Sequence, residues 1–190
     1  MFLFQSANEH ANDLSKSFSK TSSLSKRITI FAFLATLAAL LQLAGGFIPV
    51  VGLIISPFAT APVIISTVLS LRYGFIGYLL AILLLFLIQP SEVLIFAFTT
   101  GLLGFGIGVA YHFFKKRLSL ILTGAIFLLS GIVIVLFIFQ FPLLGPSIQA
   151  DTSLLFFLSL SGFCFLYSWL WIEISLVLLK RIATIFSCGR

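Results

Sequence analysis

Residues 56–77 read SPFATAPVIISTVLSLRYGFIG, and their reading decides the fold. An apolar run carrying Pro57 and Pro62 reaches Leu71-Arg72-Tyr73-Gly74, turns without a spacer and re-enters apolar sequence. Arg72 is the only basic residue between Arg27 and Lys115. A lone charge between two long apolar runs predicts two membrane spans joined by a tight turn at the headgroups.

Composition selects lipid as the solvent for most of the chain. Of 190 residues, 61% are hydrophobic and 8% charged, against about 25% charged in soluble domains. A soluble core cannot hide that much apolar surface. The 23 phenylalanines suit a lipid-facing exterior, whereas Trp169 and Trp171 are too few to form aromatic belts. The net charge of +6 sits in small clusters at the ends of apolar runs, as topology requires, so nucleic acid is not an expected partner. Cys164 and Cys188 are far apart with no ligand spacing around them, so neither a disulfide framework nor a metal site is expected. Cys188 reads as a plain free thiol rather than an acylated one.

Working outward from 56–77, six spans emerge: 28–47, about 50–71, 73–88, 92–114, 118–141 and 154–179. Ala-Gly-Gly-Phe-Ile-Pro at 44–49 ends the first, because Gly and Pro break helices at boundaries. Gln89-Pro90-Ser91-Glu92 is a turn with Ser91 as helix N-cap. The third span, at about 16 residues, reaches only about 24 Å of the ~30 Å core. The expected fold is all-α: a polytopic six-helix bundle at 28–181, with a polar N-terminal tail at 1–27 and a short C-terminal tail at 182–190. Phe2, Leu3, Phe4, Leu14 and Phe18 make the first tail slightly amphipathic, fit to rest on anionic headgroups. Its Ser- and Asn-rich composition suits disorder better.

All 11 Lys and Arg fall on one side of this arrangement; the other side holds Glu92 and Asp151. The positive-inside rule makes both termini cytoplasmic, in agreement with an even number of spans.

No paired intramembrane aspartates, Ser/His pair or His-Glu-x-x-His is present, so an enzyme is not expected, nor a cofactor. His112 reads as a headgroup-level residue. Glu173 is the most unusual polar group, a carboxylate in the cytoplasmic third of the last span. It either marks function or pairs with a base such as Arg72 or snorkels out. Gln42, Glu92 and Gln140 gather with Asp151 on the outer side, where interfacial solvation explains each singly. Together with Tyr167 and Trp169 they form a candidate outward-facing pocket for a small-molecule ligand. Small residues mark close helix approaches. Gly101, Gly104 and Gly108 in the fourth span suit internal packing, while Ala35 and Ala39 in the first suit an internal seam or a partner's docking face equally. Pro57 and Pro62 make the second span either kinked or broken.

The run Leu69-Ser70-Leu71-Arg72-Tyr73-Gly74 after Pro62, leading to a leucine-rich span, a Gly-rich span and a basic cluster, resembles the YybS-like family of bacterial membrane proteins. That family is similar to the substrate-binding S-components of energy-coupling-factor (ECF) transporters. The resemblance, over about residues 28–135, implies a six-helix bundle in a bacterial cytoplasmic membrane. It also implies capture of a small solute on the outer side, and docking to a transmembrane coupling subunit driven by ABC ATPases. Ala35-Thr36-Leu37-Ala38-Ala39 matches the Ala-x-x-x-Ala docking pattern of the first helix. The loop between the first two spans is short for a substrate lid, and pocket-side polar residues are sparse. A non-transport membrane scaffold is therefore the alternative.

Overall fold

The computed structural model describes residues 11, 14–16, 18, 23–48, 50–141 and 154–188, with side chains as far as Thr184. The fold is all-α. Six helices are long and apolar enough to cross a membrane: α1 Leu24–Phe47, α2 Val51–Leu69, α3 Leu71–Ile88, α4 Pro90–Phe113, α5 Arg117–Ile138 and α6 Leu154–Cys188. In lipid every backbone polar group must be paired within the protein, which a helix achieves alone. Between 28% and 56% of each spanning window is buried by the protein itself. The remainder is apolar and faces outward, as at Phe33, Leu87 and Ile126. This is the architecture of a multi-pass membrane protein.

Several boundaries differ from those expected, each for a local reason. Helix α1 starts at Leu24 because Ser23 Oγ caps it, accepting from Lys26 N at 3.4 Å. It runs on through Gly45 and Gly46 to Phe47 rather than breaking at the glycines. Ser91 is not an N-cap. Gln89 occupies that position, Pro90 starts α4, and no side chain caps it. Proline suits the first helical position because its missing N–H would be unpaired there anyway. Helix α3 takes in Leu71 and Arg72, so its 18 residues cover about 27 Å.

The stretch at 56–77 resolves into two features. At Pro57 the helix tightens to a 3-10 turn over Ser56–Ala59, then resumes at Thr60 with helical dihedrals throughout. Helix α2 is constricted, not unwound, which excludes the broken-helix reading. At Ser70 the backbone is extended (φ −162°, ψ 122°) for one residue, and α3 begins at once. A Cβ on Gly74 would lie 2.4 Å from Thr67 Cα, so the immediate return of α3 against α2 requires glycine there.

Small residues set the internal seams. Gly104 and Gly108 of α4 face α2, where Cβ atoms would lie 2.8 Å from Thr60 O and 2.4 Å from Thr67 Cβ. The alanine face of α1 (Ala35, Ala38, Ala39) is buried in a core cluster with Tyr78, Ala81 and Leu85 of α3 and Phe96 of α4. A second cluster joins α4, α5 and α6 through Leu103, Ile107, Leu120, Ile121 and Ile172. Helix α4 widens to π geometry at Phe96–Thr100 and α5 at Ile134–Ile138.

The N-terminal tail supplies a correction. Ala11, Leu14 and Phe18, at helical spacing, are buried in the same cluster as Phe31, Leu69 and Tyr111. Ser15 Oγ donates to Leu69 O at 3.2 Å, and the Phe18 ring meets Phe31 edge-on at 5.8 Å. This part of the tail closes the bundle end where α1 starts and α2 stops. Phe2, Leu3 and Phe4, like the 142–153 loop with Asp151, lie outside the described residues.

Candidate functional site

The polar groups within the spans sort into two constellations. The first joins α1 to α4. Gln42 is wholly buried, and its Nε2 donates to Glu92 Oε2 at 2.8 Å while its Oε1 accepts from Thr100 Oγ1 at 2.8 Å. This arrangement orients the amide: a flip would set a carbonyl oxygen against the carboxylate. Glu92 is 7% exposed and makes no ion pair with any described residue. Its place in the first turn of α4 lets the helix dipole favour its charge. A carboxylate has about four lone-pair positions, and one described donor meets Glu92.

Four features of the sequence bring these groups together. Gly45 and Gly46 give α1 a bare surface. A Cβ on Gly45 would lie 3.3 Å from Ser56 Oγ and 3.5 Å from Glu92 Oε2, and one on Gly46 would collide with the Gln89 amide. The 3-10 turn at Pro57 sets Ser56, one turn before the buried Thr60, on the α1 side. The π segment of α4 alters the register between Glu92 and Thr100, and π segments are frequent at functional sites. Tyr78 of α3 donates to Ala97 O at 2.5 Å inside that widened turn, and Thr99 Oγ1 donates to Ile95 O. Thr100 lies ten residues into α4, about 15 Å from its start, so the constellation reaches from one bundle end toward mid-depth.

Two atoms here carry unused polarity. Thr60 Oγ1, on a residue with no exposed surface, and Gln89 Oε1 are buried without a hydrogen-bond partner. Orphaned buried polar atoms are rare and costly. Ser56 Oγ and Glu92 Oε2 both lie against Gly45 of α1, and the Gln89 amide lies against the adjoining Gly46, so these three oxygen-bearing side chains share one face of α1. Among the described residues no group of three or more His, Cys, Asp or Glu converges, so a transition-metal centre has no ligand set here.

The second constellation lies at the basic end. Arg117 Nη1 pairs with Glu173 Oε1 at 3.2 Å, with side-chain exposures of 16% and 34%. The expected partner, Arg72, is not the one observed, because Arg117 opens α5 directly beside α6. Nearby, Ser175 Oγ donates to Ile172 O, so the Tyr111 hydroxyl, 2.8 Å away, donates to Ser175. Glu173 is thus a paired, half-exposed carboxylate, and the candidate role it held in the sequence passes to Glu92.

The remaining candidates disperse. Gln140 is exposed, with φ 50°, in the reversal that ends α5. Trp169 is 43% exposed on the outer surface of α6. Tyr167 is half-buried, packed edge-on to Trp171, which in turn meets Phe58. None of the three is a polar partner of Gln42 or Glu92. Ala35 and Ala39 are covered by α3 and so do not present a free docking face. Thr100, which donates to Gln42, and Ser56, which shares the Gly45 surface with Glu92, are absent from the expected site and lie at the observed one instead. Their signal in the sequence is weak, since Ser and Thr inside spans usually bond back to their own helix, as Thr67 does to Val63 O. Comparison with protein-family models, curated proteins and solved structures finds no match to this chain.

Proposed function

We propose that the chain is a transporter-type binding subunit that holds a small cationic or donor-rich solute between α1, α2 and α4. One observation carries this reading. Glu92 is a buried carboxylate inside an apolar bundle, with Gln42 as its only described donor and no described base beside it. Intramembrane carboxylates are expensive and face the bundle interior where they act on a substrate or ion. The unpartnered Gln89 Oε1, on the amide that lies against Gly46, supplies a further acceptor beside Glu92.

The reading extends the resemblance to YybS-like proteins and S-components. It sets the chain in a bacterial cytoplasmic membrane with both termini inside, by its charge asymmetry, and with a coupling subunit and ABC ATPases as partners. The internal use of the Ala35–Ala39 face moves any such docking to another surface. The test is native mass spectrometry of the protein purified from its own membrane, beside the variant Glu92→Gln. A small solute released by the parent and lost in the variant supports the reading. Absence of any solute from the folded parent, with no ATPase co-purified, refutes it.

A second reading has its own observation. Both ends of the Gln42 amide are satisfied within the protein, as in a structural cross-link, which favours a scaffold without a ligand. Under it Glu92→Gln changes thermal stability alone.

A further inference from the structure

Glu92 and Thr100 are eight positions apart on α4, yet one amide, that of Gln42, bonds to both. At about 100° per residue, eight steps of α-helix make two turns and about 80° more, which sets the two side chains on different faces. The π segment at Phe96–Thr100, bonded to the fifth residue back, absorbs one residue more. Seven effective steps fall only about 20° short of two turns, and the two side chains come onto one face. The site therefore depends on where α4 widens.

The widening leaves one carbonyl without its usual donor. Gly101 N–H donates to Phe96 O, five residues back, rather than to Ala97 O, four back as in an α-helix. The Tyr78 hydroxyl of α3 donates to Ala97 O at 2.5 Å, in the place of that amide. Within a membrane there is no water to do the same. The ring is held to deliver the hydroxyl. It stacks on Phe96 with centroids 5.9 Å apart and on Phe105 with centroids 5.7 Å apart. Gly101 gives it room, since a Cβ there would lie 2.9 Å from the Tyr78 ring. From α5, Gly131 makes space for the same widened turn, because a Cβ on it would collide with Phe98 O.

We infer, resting on the reading of Glu92 as the anchor of a solute, that Tyr78 is a positioning residue for that site. Its hydroxyl holds α4 in the π register, and the register lets Glu92 and Thr100 share the Gln42 amide. Without the hydroxyl, Ala97 O is met again when Gly101 N–H returns to it. That shift takes the π geometry out of this place and turns Thr100 relative to Glu92 by up to about 100°.

The full-length protein in detergent micelles, carrying isotope-labelled glutamine, reports the register through the side-chain amide of Gln42. Its magnetic resonance signals are identified by their loss in Gln42→Leu. Tyr78→Phe keeps the ring and its stacking and removes the hydroxyl alone. The Gln42 signals are then expected to leave the parent position and fall where those of Thr100→Val lie. A Tyr78 that only packs would lower the thermal midpoint and leave the signals in place, so unmoved signals in a folded Tyr78→Phe overturn the inference.

A chain lacking Ala97 supplies the second measurement. With one residue removed, an unbroken α-helix sets Glu92 and Thr100 on one face, and no carbonyl needs the Tyr78 hydroxyl. In that chain Tyr78→Phe is expected to leave the Gln42 signals in place, and a displacement as large as in the parent overturns the inference. If Tyr78→Phe fails to fold in the parent, its folding in the shortened chain upholds the inference, and failure there too overturns it. A parent that retains no solute yet shows both expected results refutes the solute reading and upholds the positioning one. A parent that retains a solute, with signals unmoved by Tyr78→Phe, does the reverse.

Discussion

Gln42 of α1 and Glu92 of α4, 50 positions apart in the chain, meet side chain to side chain at 2.8 Å with almost no exposed surface. In water such a bond would contribute little net. Here there is no solvent to replace it, and loss of either partner strands the other. Gln42→Leu leaves the Glu92 carboxylate and the Thr100 hydroxyl unmet, at an expected cost of about 1–3 kcal/mol. Thr100→Val strands only the neutral Gln42 Oε1, whose one described donor it is, and should cost less than Gln42→Leu, about 1 kcal/mol. Thermal unfolding in detergent ranks the two. Equal and negligible shifts would show that the buried network is not formed.

Glu173 provides the contrast. Its pairing with Arg117 is 34% exposed on the carboxylate side, so water and salt screen it. Glu173→Gln is expected to lower stability by less than about 1 kcal/mol, and by still less at high ionic strength. Glu92→Gln should perturb solute retention while Glu173→Gln leaves it near the parent value. Identical behaviour of the two variants would contradict the assignment of the site to Glu92.

The contrast also explains what the sequence made legible. Six apolar runs and the clustering of Lys and Arg depend on composition and length alone, so the spans could be read before any contact was known. Which polar residues face one another depends on helix rotation and register. The π segment at Phe96–Thr100 and the 3-10 turn at Ser56–Ala59 each change rotation partway along a span; Pro57 marks the second as a distortion without giving its geometry, and no residue pattern announces the first. Hence Glu92, read singly as an interfacial residue, is buried, and Glu173, read as either a functional carboxylate or one paired with a base, is paired, with Arg117. The glycines at 45 and 46 misled for a related reason. Gly breaks helices in water but is more frequent in membrane spans, and here the two serve close approach within α1.

The N-terminal segment tests how far packing extends beyond the spans. Leu14 and Phe18 are each 3% exposed, against Phe31 and Leu69. Phe18→Ser is expected to release the segment, because a polar side chain in that position loses its apolar contacts and brings an unmet hydroxyl. Trypsin cleavage at Lys16 or Lys20 should then accelerate several-fold while the six-span body stays intact. Unchanged cleavage would mean that the segment does not hold this position in solution.

Three glycines separate close packing from mere helix weakness. Gly162 of α6 has open space where a Cβ would go, so Gly162→Ala gains helix propensity without a clash. It should raise stability by about 0.5–1 kcal/mol. Gly108→Ala would drive a methyl to 2.4 Å from Thr67 Cβ, and Gly74→Ala to 2.4 Å from Thr67 Cα. Both must push α2 away, at the roughly 1–3 kcal/mol typical of overpacking. Gly74→Ala should be the worse of the two, because it meets backbone that cannot change rotamer, where α2 and α3 join through the single extended residue Ser70. Midpoints from thermal unfolding decide the order. A stabilising Gly74→Ala would mean that α3 does not return against α2 at Thr67 and that the reversal at Ser70 is wider than the single extended residue allows.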